Sequence, residues 1–211
     1  GVSQAAEWTS GDYFDYLPLR SGNTALVIAD VCGHGIGPAL LMSSTRASLR
    51  GLAPTLEDVG ELLTHGNRAV VDCVSPSEFV TIFAALYDSA DRTLHYAGAG
   101  HVAFYLRRDG SSQLLEADAP PLGILPELTV PTRKLTTIET GEILILVTDG
   151  ILESRNAQDE MFGEARLLST VHELRLQPAA RIVQGLILAA TEFSGQREQQ
   201  DDITVVIMKI T

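Results

Sequence analysis

Cysteine is scarce in this chain: Cys32 and Cys73 are the two among 211 residues. Two thiols cannot build a disulfide framework, so a reducing, cytoplasmic setting is the expectation. Positive charge is short as well. Lysine and arginine number 15 against 27 acidic residues, for a formal net charge of −12. That balance argues against nucleic acid as a partner, because phosphate backbones are bound by basic surfaces. No apolar run is long enough to span a bilayer, and no signal peptide opens the chain. Internal repeats, low-complexity tracts and linker-like stretches rich in Pro, Gly or Ser are also missing. With 45% hydrophobic and 20% charged residues, the composition fits one globular domain over 1–211 with a sizeable core. Residues 1–7 read as an entry in mid-element, which suggests a domain cut from a longer protein.

Hydrophobic periodicity divides the chain into strands and helices. Strands are expected at 13–19 and 24–30, joined by a turn at 20–23. Pro38 then opens a helix with Leu41, Thr45, Ser48, Leu49 and Leu52 on one face, and a second helix runs from 56 to about 72. Three strands follow at 79–88, 93–97 and 102–107. The tight turns between them, 89–92 and 98–101, imply antiparallel pairing throughout. Short strands are expected at 113–116, 132–135 and 142–148. Two amphipathic helices carry Leu167 to Leu174 and Ile182 to Phe193, and a strand at 203–210 closes the chain. Hairpins and helices in separate blocks point to an α+β fold, two antiparallel sheets stacked face to face with helices outside.

Chemistry concentrates at four aspartates where apolar strands give way to turns: Asp12, Asp30, Asp149 and Asp201. Taken singly, each is an ordinary turn or cap acid. Taken together, they suggest carboxylates gathered at one edge of a β core. Such carboxylates repel one another unless a cation neutralises them, and an oxygen-rich site suits Mg²⁺ or Mn²⁺. The glycine run after Asp30 could be taken for a dinucleotide-binding turn. Its glycines fall at 33, 35 and 37, however, Pro38 occupies the place of the third fingerprint glycine, and the next element is another helix. A loop without side chains instead lets carbonyls, phosphate and water approach ions held by Asp30.

The segments Ser10-Gly11-Asp12-Tyr13-Phe14-Asp15-Tyr16, Ala29-Asp30-Val31-Cys32-Gly33-His34-Gly35, Ala99-Gly100-His101, Thr148-Asp149-Gly150 and Asp201-Asp202-Ile203-Thr204 occur in that order. The set resembles the metal-dependent PPM-type serine/threonine protein phosphatases, in their bacterial SpoIIE/RsbU branch. The resemblance extends from Glu7 to Ile210. It implies an α-β-β-α sandwich of two antiparallel sheets flanked by helices, with two Mn²⁺ or Mg²⁺ ions. Carried over by position, Asp30 would bridge both metals, aided by the backbone carbonyl of Val31. Asp149 and Asp201 would complete one ion's protein ligands, and Asp12 would hold the other. A water shared by two such cations would lose its proton near neutral pH and attack a phosphoserine or phosphothreonine in line. The resemblance further implies a phosphorylated anti-sigma-factor antagonist of the STAS type as substrate, in a partner-switching pathway. It also implies an upstream sensor or receiver module, and leaves a homodimer open.

Two departures from the wider superfamily stand out. No arginine precedes Asp12 to grip phosphate; the positions hold Glu7, Trp8, Thr9 and Ser10. His34, the candidate general acid, sits two positions further along than in Asp-Gly-His-Gly members. Asp15 and Asp202 are expected to be supporting or solvated rather than ligating. His101 either holds its glycine turn or touches substrate. Cys32 reads as a small loop residue ahead of a redox-sensitive thiol. A pseudophosphatase lacking activity, and a metal hydrolase of small phosphomonoesters, are the alternatives. All four carboxylates are present, which disfavours the first; the acidic surface mildly disfavours nucleotides as substrates of the second.

Overall fold

The computed structural model describes residues 1–33, 35–75, 77–195 and 199–211. Its contacts group into two compact units, Thr9–Val102 with Glu116–Ile138, and Gly1–Trp8 with Ala103–Leu115 and Glu139–Thr211. Each unit carries its own antiparallel five-stranded sheet with flanking helices. Along the chain the strands are β1 (Val2–Gln4), β2 (Asp12–Pro18), β3 (Thr24–Val31), β4 (Val80–Asp88), β5 (Thr93–Ala99), β6 (Ala103–Leu106), β7 (Ser112–Leu115), β8 (Arg133–Leu135), β9 (Ile143–Val147) and β10 (Ile203–Lys209). The helices are α1 (Ile36–Leu52), α2 (Val59–Val71), α3 (Asp149–Leu152), α4 (Gly163–Leu174) and α5 (Ala179–Ser194).

The first unit orders its strands β2-β3-β4-β5-β8. Side chains alternate across a strand, so Tyr13 and Leu17 of β2 share one face with Val27, Ala29 and Val31 of β3. That face is buried against Leu41, Met42 and Leu49 of α1 and Val59, Leu62, Leu63 and Val70 of α2. The helical spacing of these positions aims one stripe of each helix at the sheet. Helix α2 starts where Asp58 accepts a hydrogen bond from the Glu61 backbone N–H at 2.9 Å, while Thr132 donates to the same carboxylate at 2.6 Å. Capping at this end satisfies a donor that the helix itself cannot, and Glu61 complements the helix dipole.

A charge sits within this apolar face. Asp15, only 7% exposed, receives Arg50 Nε and Nη2 of α1, both at 2.6 Å, together with the Tyr13 hydroxyl and the Tyr16 backbone N–H. Burial alone would raise its pKa, but the hydrogen bonds from Arg50, Tyr13 and Tyr16 outweigh it and hold the carboxyl below its ordinary value. The same burial, with Asp15 alongside, drives the Tyr13 hydroxyl far upward. A depressed carboxyl pKa contributes stability above its unfolded value, and that contribution is lost as pH falls through the folded one. Asp15→Asn is therefore expected to lose about 2 kcal/mol at pH 7 and to narrow its gap from wild type below about pH 4. Urea melts at pH 7 and pH 3.5 check this; an equal gap at both values contradicts it.

The second unit orders its strands β1-β10-β9-β6-β7. Its core joins Ile143, Ile145 and Val147 of β9 and Val205 and Ile207 of β10 to Leu167 and Val171 of α4 and Ile182, Val183 and Leu186 of α5. Among the described residues no helix is long and apolar enough to cross a membrane.

Residues 2–4 form a further strand, paired antiparallel with β10; three residues with no alternation of their own carry no periodic signal. Two sequence expectations need correction. Helix α1 begins at Ile36, so Pro38 lies inside the first turn rather than at its start, where a missing N–H costs nothing. The strand at 93–99 does not pair with the next one. β5 pairs with β8 through Leu94↔Leu135, and β6 belongs to the other sheet, between β9 and β7. The turn that seemed to close a hairpin is bonded elsewhere: Gly100 N donates to Ala119 O at 2.9 Å, and Gly100 bridges Ile82 in parallel.

Candidate metal centre

Asp12 is the first residue of β2, Asp30 the last but one of β3, and the ladder sets them directly opposite each other. Both lie on the sheet face away from α1 and α2, since their neighbours Tyr13 and Val31 belong to the helix-covered core. Like charges directly opposite in a ladder are destabilising. The next backbone carbonyl, that of Val31, lies beside Gly11. A Cβ at Gly11 would come within 3.0 Å of this oxygen, so glycine there keeps the carbonyl uncrowded. The Val31 N–H also donates to the Gly11 carbonyl at 3.3 Å.

In the other unit, Asp149 follows β9 as the first residue of α3, and Asp201 stands two residues before β10. Thr148 and Thr204 tie the two segments together. The Thr204 N–H donates to Thr148 Oγ1 at 2.9 Å, and the Thr148 N–H to the Thr204 carbonyl at 3.1 Å. Asp149 lies at the surface, yet crowding around its carboxyl raises the pKa, and the acidic Asp201 and Glu153 add to the shift. Asp202 is buried and accepts from the Ala6 N–H at 2.8 Å, a supporting contact. A pocket of about 230 Å³ opens alongside, lined among others by Gly150, Glu153, Arg155, Gln199 and Asp201.

The structure thus brings Asp12 to Asp30, and Asp149 to Asp201. Among the described residues no three His, Cys, Asp or Glu side chains form a ready-made cluster. His34 lies outside the described residues. His101 is buried, with Nδ1 3.1 Å from Thr81 Oγ1. Cys32 accepts from the Phe79 N–H at 3.2 Å and donates to the Ser77 carbonyl at 3.5 Å, the behaviour of a loop residue. Thr81 and Thr148 escape sequence reading because a threonine's role here depends on which strand it faces. Among the described residues Arg155 is the basic group that lines the pocket; its guanidinium donates to the Asp159 carbonyl at 2.9 Å.

A divalent cation suits these donors. They are all oxygens, two carboxylates are set face to face in one ladder, and Asp149 is crowded by acids, so bound positive charge relieves each pair.

The family described as "Stage II sporulation protein E (SpoIIE)" matches residues 20–211. The phosphoserine phosphatase RsbU of Bacillus subtilis is 28% identical over 213 residues, covering 99% of this chain and 62% of its own length. The curated relatives are therefore longer, and this chain spans under two thirds of them. Among solved structures, the PP2C domain of SiaA from Pseudomonas aeruginosa superposes with a TM-score of 0.89 at 20% identity, covering all of this chain and 85% of that one. A Mycobacterium tuberculosis structure of RsbU and RsbW domains gives 0.78 at 25% identity, covering 96% and 56% respectively.

Proposed function

The chain belongs to the SpoIIE family, and we propose that it is a metal-dependent phosphoserine/phosphothreonine protein phosphatase working as one domain of a longer regulatory protein. The observation that carries the reading is the direct pairing of Asp12 with Asp30 on one sheet face. By the family pattern, Asp12, Asp30 and the Val31 carbonyl would serve as metal ligands, and Asp149 and Asp201 would complete one ion's protein ligands. Bound Mg²⁺ or Mn²⁺, two ions by the family pattern, supplies charge neutralisation for the phosphoryl oxygens and acidifies a water.

The chain's own residues do the rest. The β2–β3 ladder sets the backbones of Asp12 and Asp30 directly opposite each other, so the two carboxylates start from one sheet face. The Thr148–Thr204 bonds hold the Asp149 segment against the Asp201 segment. The pocket beside Asp201 offers room for residues flanking the phosphate, with Arg155 in its wall. His34 is the candidate proton donor to the leaving serine oxygen. No cysteine nucleophile is required. The phosphoserine phosphatase RsbU supports a phosphoserine substrate, and the SpoIIE/RsbU pattern implies that this is a phosphorylated STAS-type anti-sigma-factor antagonist within a partner switch.

The test is hydrolysis of a phospho-STAS protein and of p-nitrophenyl phosphate with Mn²⁺, with Ca²⁺ and with EDTA. Turnover of the phosphoprotein with Mn²⁺, weaker with Ca²⁺ and abolished by EDTA, is expected, since calcium favours more ligands in looser geometry. Full turnover in chelator overturns the metal reading. Activity confined to the small ester overturns the protein substrate.

A further inference from the structure

Thr81 of β4 is the register partner of Asp30, which is itself the partner of Asp12. The three residues form a row across β2, β3 and β4 on one sheet face. Thr81 Oγ1 donates to the Asp30 carbonyl at 3.4 Å and lies 3.1 Å from His101 Nδ1. A hydroxyl has a single proton to give. With that proton directed to Asp30, Nδ1 must be the donor to Thr81, which places a proton on that ring nitrogen. His101 as a residue is only 8% exposed. Its backbone neighbour Gly100 is pinned by Ile82 and by the Ala119 carbonyl, so the ring's position is set by β4 and by the segment at 119.

We propose that His101 is a positioning residue for the metal centre, acting through Thr81 on the Asp30 carbonyl. That carbonyl belongs to the peptide joining Asp30 to Val31. Its orientation constrains both the backbone from which the Asp30 carboxylate projects and the turn that presents the Val31 oxygen. The chain from His101 to Thr81 to Asp30 therefore acts as an outer support for two oxygens of the site, the arrangement by which donors beyond the ligands tune metal affinity. The inference rests on the reading of Asp30 and Val31 as metal-holding.

The experiment titrates Mn²⁺ calorimetrically into the protein without substrate and records thermal melting in parallel. Thr81→Val and His101→Leu should each weaken Mn²⁺ binding about tenfold, and the double variant should be no weaker than the worse single, because both cut one chain. Thr81→Ser keeps the hydroxyl and His101→Asn keeps a donor near Nδ1, so both should stay close to wild type. Unchanged affinity with lowered melting temperature in Thr81→Val and His101→Leu overturns the proposal and leaves His101 as a turn pin. Additive losses in the double variant overturn it equally. Asp30→Asn separates the two levels: if it alone loses Mn²⁺, the metal reading stands and the His101 proposal falls. If it binds as wild type does, both fall.

Discussion

Asp30→Asn loses at least about a thousandfold in kcat/KM, which corresponds to roughly 4 kcal/mol of transition-state stabilisation, while Asp15→Asn keeps its Mn²⁺ affinity within about threefold. Three positions after Asp12 in the same strand, Asp15 differs from Asp30 in what surrounds it. Asp30 shares its sheet face with Asp12 and pairs with it across the ladder. Asp15 projects to the opposite face and is held by Arg50 of α1. Asparagine preserves shape and removes charge, so at Asp30 it withdraws a ligand, whereas at Asp15 it weakens an internal ion pair. Steady-state kinetics and Mn²⁺ titration, run where both variants are folded, separate these effects. Equal losses of metal affinity at the two positions would show that the metal-holding face has been misassigned.

Gly150→Ala is the second large effect. A Cβ on Gly150 would overlap the Asp202 carbonyl and press on its carbon and on Ile203. The obstruction is backbone and cannot rotate away, so α3 or the start of β10 has to move. Overpacking of this kind costs about 3 kcal/mol, a drop in melting temperature of roughly 6–12 °C for a chain of this size. The same shift separates Asp149 from Asp201, so Mn²⁺ affinity should fall with it. Gly51→Ala is the control: nothing lies within 4 Å of its Cβ position in α1, and alanine there should stabilise by up to about 1 kcal/mol. Melting curves of the two variants decide the matter; a Gly150→Ala protein as stable as wild type would mean that the contact is not rigid.

Much of this protein was legible in the order of its residues. Hydrophobic period located α1, α2, α4, α5 and most strands, because burying one face of a helix or strand leaves a repeat that needs no knowledge of the partner. The candidate acids were legible for a similar reason: an aspartate where an apolar run meets a turn marks a strand end whatever the strand pairs with. Pairing itself lay beyond the sequence. The turn at 98–101 looks like a hairpin, yet β5 takes β8 as neighbour and β6 lies in the other sheet. That choice is made by residues about forty positions away competing for one strand edge. The burial of Asp15 against Arg50, the contact between Gly150 and Asp202, and the line from His101 through Thr81 to Asp30 likewise depend on register. A one-residue slip of its strand would turn Asp15, Asp30 or Thr81 to the other face. Composition and local pattern determined which elements form and where the carboxylates stand along them. Tertiary structure alone decided which carboxylates face each other, because only long-range strand pairing sets residues distant in sequence on a common face.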